Sequence, residues 1–206
     1  MSAPASKGTA LITGASTNIG AVYADRLAKR GYDLILVVRG QEKLFEVAAR
    51  LEPTGRTIET MAADLTKKED VQRVAERLSA DATIAALVNN AHAASMGKLL
   101  DAKIVELESM IDLNVTALTR LALAALPGFV ARKSGLLINI ASVVALAPEL
   151  LNGTYCGTKG YVVNFTQALK NEVEGKGVTV QAVLPGATAT PMWEKAGRWN
   201  ICLPGL

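Results

Sequence analysis

The 206-residue sequence predicts an α/β fold in which a doubly wound parallel sheet carries helices on both faces. Short apolar runs alternate with segments of helical apolar spacing along most of the chain, a pattern typical of repeated strand–helix units. The runs have apolar cores, as expected for strands that are covered on both faces. Half of the residues are hydrophobic, so the chain can bury a large core, and its length favours one domain over residues 1–206.

Six strands are predicted from compact apolar runs at residues 9–13, 34–38, 58–62, 84–88, 136–140 and 178–184. Helices are predicted between them around residues 19–27, 44–51, 71–78, 102–131 and 154–174. The long segment 102–131 is expected to bend at Asn114-Val115-Thr116, where the apolar stripe is interrupted. Right-handed crossovers place the carboxyl ends of all the strands at one edge of the sheet. Residues 191–206 show neither period and are expected to form an irregular tail.

Composition and charge argue against several classes of protein. The net charge of +3 comes from 22 Lys and Arg and 19 Asp and Glu scattered along the chain, so nucleic-acid binding is not expected. Two cysteines cannot form a disulfide framework, which fits a reducing cytoplasm, and Cys156 lies in a polar cluster more typical of chemistry. We expect neither a secretory leader nor a metal site. We also expect no membrane segment, because the apolar stretch 136–151 contains Asn139, Pro148 and Glu149.

A glycine-rich turn follows the first predicted strand and opens the first helix. It reads Gly14-Ala15-Ser16-Thr17-Asn18-Ile19-Gly20. At such a junction, backbone N–H groups and the helix dipole can hold the pyrophosphate of a dinucleotide. An ordinary strand-to-helix turn is the alternative, since a pair of glycines alone is weak evidence.

Residues after the second and third strands bear on which dinucleotide binds. An NAD site normally has an acidic residue at the end of the second strand, whereas this chain has Arg39, whose planar guanidinium suits a 2′-phosphate. NADP(H) is therefore favoured over NAD(H), the alternative being that Arg39 is a solvated loop residue. Asp64, followed by Leu65, has two interpretations: it accepts a hydrogen bond from the adenine amino group, or it caps the helix that begins near Thr66.

Tyr155 and Lys159 are one helical turn apart and so share a face of the predicted helix. A phenol with a pKa near ~10 becomes a base at neutral pH only if the phenolate gains about 4 kcal/mol, which an ammonium ~4 Å away supplies at an effective dielectric of ~20. Ser142 lies at the end of the fifth strand, at the edge where parallel sheets bind ligands. Asn114 interrupts an apolar helix, where a buried amide fixes a bend or holds a water.

In this order, the motifs resemble those of the short-chain dehydrogenase/reductase family over residues 9–190, and the resemblance implies a Rossmann-like fold. The family's glycine-rich turn corresponds to residues 13–20, its adenine-side aspartate to Asp64, and its Asn-Asn-Ala-Gly motif to Asn89-Asn90-Ala91-His92. Its active-site Asn, Ser, Tyr and Lys correspond to Asn114, Ser142, Tyr155 and Lys159. Its Pro-Gly segment and a following threonine correspond to Pro185, Gly186 and Thr190.

The resemblance implies hydride transfer between nicotinamide and the carbon of a small-molecule carbonyl or secondary alcohol. Tyr155 would be the general acid and base, and Ser142 would hydrogen-bond the same substrate oxygen. Lys159 would lower the Tyr155 pKa and bind the nicotinamide ribose, Asn114 would hold a water, and Thr188 and Thr190 would approach the carboxamide and the diphosphate. The residues expected to bind NADP(H) are Gly14, Ser16, Asn18, Ile19, Gly20, Arg39, Asp64, Leu65, Asn90, Ala91, Tyr155, Lys159, Pro185, Gly186, Thr188 and Thr190. Helical segments that resemble the family's subunit contacts imply a homodimer or homotetramer.

Three departures from the family pattern affect these expectations. Asn18 replaces the middle glycine of the turn, and asparagine is the substitute that best tolerates a left-handed conformation. His92 replaces a glycine near the nicotinamide side, where it either reaches the substrate or is structural. Family members usually continue beyond Thr190 through a helix and a further strand, so we expect this chain to be shortened at its C-terminal end. A nucleotide-binding protein without turnover and a non-binding scaffold are the alternatives to an enzyme.

Overall fold

The strands of the computed structural model, which describes residues 6–16, 18–95 and 97–186, form one parallel sheet. The strand order is β3-β2-β1-β4-β5-β6. The strands are β1 Thr9–Thr13, β2 Asp33–Val38, β3 Ile58–Ala62, β4 Ile84–Asn89, β5 Gly135–Ile140 and β6 Val178–Val183. The predicted doubly wound parallel sheet is confirmed, and each predicted strand differs from the observed one by at most one residue at either end. The expected irregular tail over residues 191–206 lies outside the described residues.

Helices cover both faces of the sheet. Since successive residues of a strand point to opposite faces, each strand contributes side chains to two cores. Leu11 packs in a core with helical residues such as Leu121, whereas the next residue, Ile12, packs in a second core with helical residues such as Leu27. Both side chains are fully buried. The helices are α1 Asn18–Lys29, α2 Gln41–Leu51, α3 Lys68–Ala80, α4 Ile104–Ile111, α5 Leu118–Ala131 and α6 Gly153–Glu172.

The expected bend in the long helical segment is a π-helical stretch, Asp112–Ala117, which joins α4 to α5. Asn114 lies inside it and is buried, so the bend is found where the apolar stripe is interrupted. Within the described residues, Ile104–Ala131 is the stretch long and apolar enough to cross a membrane by length and composition. Half of its most apolar window is buried in the fold, and α5 packs against α3 and β5, as is typical of a core helix.

The order of the strands decides where a ligand can lie. The chain progresses in one direction from β1 to β3 and in the other from β4 to β6, so the order reverses between β1 and β4. In open parallel sheets, ligands bind in the crevice at this reversal, beyond the carboxyl ends of the strands. The turn after β1, the loop after β4 and the segment after β5 meet at this edge.

Candidate active site

The turn after β1 approaches the loop after β4 too closely for side chains at its two glycines. Gly14 has φ of 64°, and a Cβ on it would lie 2.9 Å from the Cα of Ala91. A Cβ on Gly20 would collide with the Gly14 carbonyl oxygen and lie 2.6 Å from Nδ2 of Asn90. The left-handed conformation expected at Asn18 is confirmed, with φ of 55°. The first turn of α1 has no acidic side chain, so the turn and the helix N-terminus fit an anion held by backbone N–H groups.

Asn90 and Thr13 join this turn to the loop after β4. The Asn90 amide Nδ2 donates to the carbonyl oxygens of Thr13 at 3.1 Å and Gly14 at 2.9 Å. The Thr13 hydroxyl accepts from the backbone N–H groups of Asn90 and Ala91, each at 3.0 Å. These bonds fix the two loops that face the crevice. Thr13 belongs to the predicted turn, but its role follows only from the contact between β1 and β4.

Ser16 and Asn18 also face an open cleft of about 600 Å³ between α1 and α2, together with Glu46 and Arg50. Ile19 is partly buried against the core of this face.

Arg39 and Asp64 lie near each other beyond the ends of β2 and β3. Burial acts to raise the pKa of Asp64, but hydrogen bonds from Thr66 and the charges of Arg39 and Lys67 outweigh it, and the pKa is lowered. The Thr66 hydroxyl and backbone N–H donate to this carboxylate at 2.8 Å and 3.1 Å. The carboxylate therefore closes a turn just before α3, and the neighbouring Leu65 is buried in the core.

Tyr155 and Lys159 lie on the buried face of α6, as their spacing predicts. They are 5% and 2% exposed, and the lysine Nζ lies 5.9 Å from the centre of the tyrosine ring. The Lys159 ammonium donates to the carbonyl oxygen of Ile140, the last residue of β5, at 3.0 Å. Burial lowers the pKa of Lys159 to about 8. Asn152 begins the helix, because its side-chain oxygen accepts from the Thr154 N–H at 2.9 Å.

The expectation that Lys159 lowers the pKa of Tyr155 is wrong for this structure. Burial raises the Tyr155 pKa and outweighs a hydrogen bond with the Ser142 side chain, which acts to lower it. Burial lowers the pKa of Lys159 to about 8, so this lysine has lost its charge before the phenol titrates and does not favour the phenolate. Burial therefore dominates the Tyr155 pKa. The contact between Ser142 and Tyr155 brings together the end of β5 and the start of α6. The phenol is therefore protonated at neutral pH and can donate to an oxygen.

Asn114 connects the loop after β4 to α6. Its Oδ1 accepts from the backbone N–H of Ala93, and its Nδ2 donates to the carbonyl oxygen of the same residue, both at 2.9 Å. Nδ2 also donates to the hydroxyl of Thr158, the residue before Lys159, at 3.0 Å. These bonds tie the loop after β4 to α6, and the interpretation that Asn114 holds a water stays a prediction.

His92 lies in the same loop, between Asn90 and Ala93. Its Nδ1 is 2.7 Å from the carbonyl oxygen of Asn90. Burial and, to a smaller extent, the charge of Lys159 lower the pKa of His92 to about 4, despite the opposing hydrogen bond to Asn90. The imidazole is therefore neutral at physiological pH.

Several other predicted residues have definite places. The carbonyl oxygen of Pro185 accepts from the Val143 N–H at 3.1 Å, which brings the segment with Gly186 beside the Ser142 segment. Thr188 and Thr190 lie outside the described residues. Cys156 does not fit the chemical role considered for it, because it is buried among apolar side chains and burial raises its thiol pKa. Within the described ranges, no group of three or more His, Cys, Asp or Glu side chains could hold a metal ion.

A buried polar chain beneath the site was missed by the sequence analysis. Asn89 Nδ2 donates to Asn139 Oδ1, and Asn139 Nδ2 donates to the Thr166 hydroxyl, each at 3.0 Å. All three residues are buried, and they tie β4 and β5 to α6. The signal available in the sequence is the single amide at Asn139 within an otherwise apolar strand.

Comparisons with known proteins identify chains of similar sequence and structure. A family model described as short chain dehydrogenase matches residues 8–201. A short-chain dehydrogenase from Sphingobium yanoikuyae in complex with NADPH is 46% identical, with a TM-score of 0.91 over 97% of this chain and 78% of that one. The bulky-bulky ketone specific alcohol dehydrogenase from Comamonas testosteroni is 43% identical, with a TM-score of 0.86 over 88% of this chain and 72% of that one.

A curated relative, 17-beta-hydroxysteroid dehydrogenase type 3 from Homo sapiens, is 36% identical over 188 residues, which is 89% of this chain. The chain spans 60% of the length of that relative. It also spans 59% of the length of the very-long-chain 3-oxoacyl-CoA reductase-A from Danio rerio, to which it is likewise 36% identical.

Proposed function

The chain belongs to the short-chain dehydrogenase/reductase family, and on this premise we propose that it transfers a hydride between NADP(H) and the carbon of a carbonyl or secondary alcohol. The observation that carries the proposal is the meeting of Ser142, Tyr155 and Lys159 at the edge of the sheet that also holds the glycine turn. The substrate is a small molecule.

The cofactor fits the residues at the sheet reversal. Gly14 and Gly20 let the turn pack closely against Asn90 and Ala91, and the N-terminus of α1 that follows the turn can hold the pyrophosphate with its backbone N–H groups. Arg39 supplies a cation for the 2′-phosphate of NADP(H), with Asp64 beside it for the adenine. The NADPH complex of the similar protein from Sphingobium yanoikuyae supports NADP(H) over NAD(H). The bound nicotinamide supplies or takes up the hydride.

Tyr155 moves the proton. Its raised pKa keeps the phenol protonated near neutral pH, so in the reductive direction Tyr155 gives its proton to the developing alkoxide. Ser142 donates a hydrogen bond to the same oxygen and orients it beside the phenol. Lys159 binds the nicotinamide ribose with its ammonium, while Ile140 O fixes its position. Asn114 positions the loop that faces Lys159.

The surroundings of Tyr155 favour a carbonyl between apolar groups. Val144, Leu151, Ala93 and Ala94 pack in one cluster with the tyrosine, so a polar substrate would lose hydration there without compensating bonds. Leu146, just beyond Ser142, is 73% exposed and extends this apolar surface outward.

The test is NADPH oxidation with a panel of ketones, comparing the unaltered protein with Tyr155→Phe. We expect the variant to lose about 100-fold or more of the rate, because the proton donor is removed, while its affinity for NADPH is retained. Tyr161→Phe is the matched control: this tyrosine is on the same helix but partly exposed, where it bonds Thr119, and the rate should be unchanged. Equal rates for Tyr155→Phe and the unaltered protein would eliminate the mechanism. NADPH binding without turnover on any ketone would favour the non-catalytic alternative.

We also propose that the protein is a homodimer or homotetramer located in the cytoplasm. The exposed apolar side chains of Ile111 and Leu123 on α4 and α5 support a self-association surface, since they are 41% and 54% exposed. Light scattering after size-exclusion chromatography tests it, and a monomer at micromolar concentration would contradict it.

A further inference from the structure

The loop after β4 holds an imidazole whose ring nitrogens have different roles. A carbonyl oxygen can only accept a hydrogen bond, so the 2.7 Å contact with Asn90 O requires that Nδ1 of His92 carries the hydrogen. A neutral ring with its hydrogen on Nδ1 has a bare lone pair on Nε2. No group in the described part of the chain donates to this nitrogen. Nε2 is therefore a hydrogen-bond acceptor that this part of the chain leaves unused.

The position of this acceptor is fixed from both sides. On one side, Asn90 is bonded to Thr13 and Gly14 through its side chain. On the other side, the backbone N–H and carbonyl of Ala93 are both bonded to the amide of Asn114. The imidazole therefore lies on a short span between two anchors, and its own Nδ1 bond restrains the ring.

His92 and Lys159 have complementary hydrogen-bonding capacity. The Lys159 ammonium has three hydrogens, of which one goes to Ile140 O at 3.0 Å. The charge of Lys159 acts on the imidazole, so the two groups lie near each other. A hydroxyl group can accept a hydrogen bond from an ammonium and at the same time donate one to an unprotonated imidazole nitrogen.

We propose that Nε2 of His92 accepts a hydrogen bond from a hydroxyl of the nicotinamide ribose, so that His92 and Lys159 together hold that ribose. This proposal rests on the proposed function, because it requires that the crevice binds NADP(H). His92 is thus a determinant of cofactor affinity at the nicotinamide half, with no part in the proton transfer.

The test separates the two halves of the cofactor by titration calorimetry. NADPH contains the nicotinamide ribose, whereas 2′,5′-ADP contains only the adenosine half with its 2′-phosphate. His92→Asn keeps a donor near the place of Nδ1 and removes the Nε2 acceptor, whereas His92→Gln offers a carbonyl oxygen near the place of Nε2. We expect His92→Asn to weaken NADPH binding about fivefold with 2′,5′-ADP unchanged, and His92→Gln to stay within about twofold for both ligands.

The outcomes distinguish this proposal from the proposed function. Unchanged NADPH affinity in His92→Asn, or equal losses for NADPH and 2′,5′-ADP, would overturn the ribose contact while leaving NADP(H) binding in place. Failure of the unaltered protein to bind either ligand would overturn the proposed function, and this inference with it. Nitrogen NMR of the free protein gives a readout independent of the cofactor: a hydrogen on Nε2 instead of Nδ1 would also contradict the proposal.

Discussion

Lys159 contributes to the proposed function at a cost to the stability of the fold. Its side chain is buried, with 2% exposed, and burial lowers its pKa from 10.5 to about 8. A difference of about 2.5 pKa units corresponds to about 3 kcal/mol by which folding disfavours the ammonium relative to the neutral amine. Lys159→Met removes this charge and keeps a side chain of similar length.

The sign of the pH dependence follows from proton binding. Below the folded-state pKa of about 8, Lys159 is protonated in both the folded and the unfolded chain, and the full cost is present. Between about 8 and 10.5, the unfolded chain holds a proton that the folded chain has released, so the free energy of unfolding rises with pH. Relative to Lys159→Met, the unaltered protein should gain about 2 to 3 kcal/mol between about pH 7 and about pH 10.

Urea denaturation at several pH values between these limits measures this difference. Other titrating groups cancel in the comparison, and the loss of the hydrogen bond to Ile140 O adds only a constant. Lys170→Met is the control, because Lys170 is exposed on the same helix, and its difference from the unaltered protein should not change with pH. A difference for Lys159→Met that is also constant across the range would refute the reasoning. We expect Lys159→Met to lack activity.

Two further predictions concern the turn and the buried polar chain. Gly20→Ala should abolish measurable NADPH binding and destabilise the fold by about 1 to 3 kcal/mol, since its Cβ would lie 2.6 Å from Asn90 Nδ2. Calorimetry and thermal melts compare this variant with Gly157→Ala, where a Cβ meets open space. Equal NADPH binding by the two variants would contradict the prediction. Asn139→Ala should lower the free energy of unfolding by about 2 to 4 kcal/mol, because Asn89 and Thr166 lose their hydrogen-bond partner. Urea denaturation measures this loss, with a substitution of the exposed Asn164 by Ala as the control. A loss as small as that of the control would contradict a stabilising role for the buried polar chain.

The sequence predicted the meeting of the proposed active-site residues from general rules of α/β folds. Ser142 lies at the end of a strand, and Tyr155 and Lys159 share a helix face, so parallel strands bring them to one edge. The structure agrees, since the Ser142 side chain lies close enough to Tyr155 to act on its pKa. The direction of the Tyr155 pKa shift was not predictable, because it depends on burial in a cluster that includes Leu107 of α4, far away in the chain. Spacing along a helix specifies neighbours on that helix but not how much water they lose.

The role of Asn114 illustrates the same division. Its position in an apolar helix indicated a special role, and the π-helical stretch is found there. Its bond to Ala93, 21 residues earlier in the chain, depends on the tertiary fold and could not be read from the sequence.

The sequence by itself determined the features that depend mainly on residues close together in the chain. These are the positions of the strands and helices along the chain, the glycine turn, and the left-handed conformation at Asn18. The tertiary structure alone decided which polar groups are desolvated and what they bond, as for His92 and Lys159. The physical reason is that the solvation of a group is set by every element packed around it, and those elements come together only when the sheet is complete.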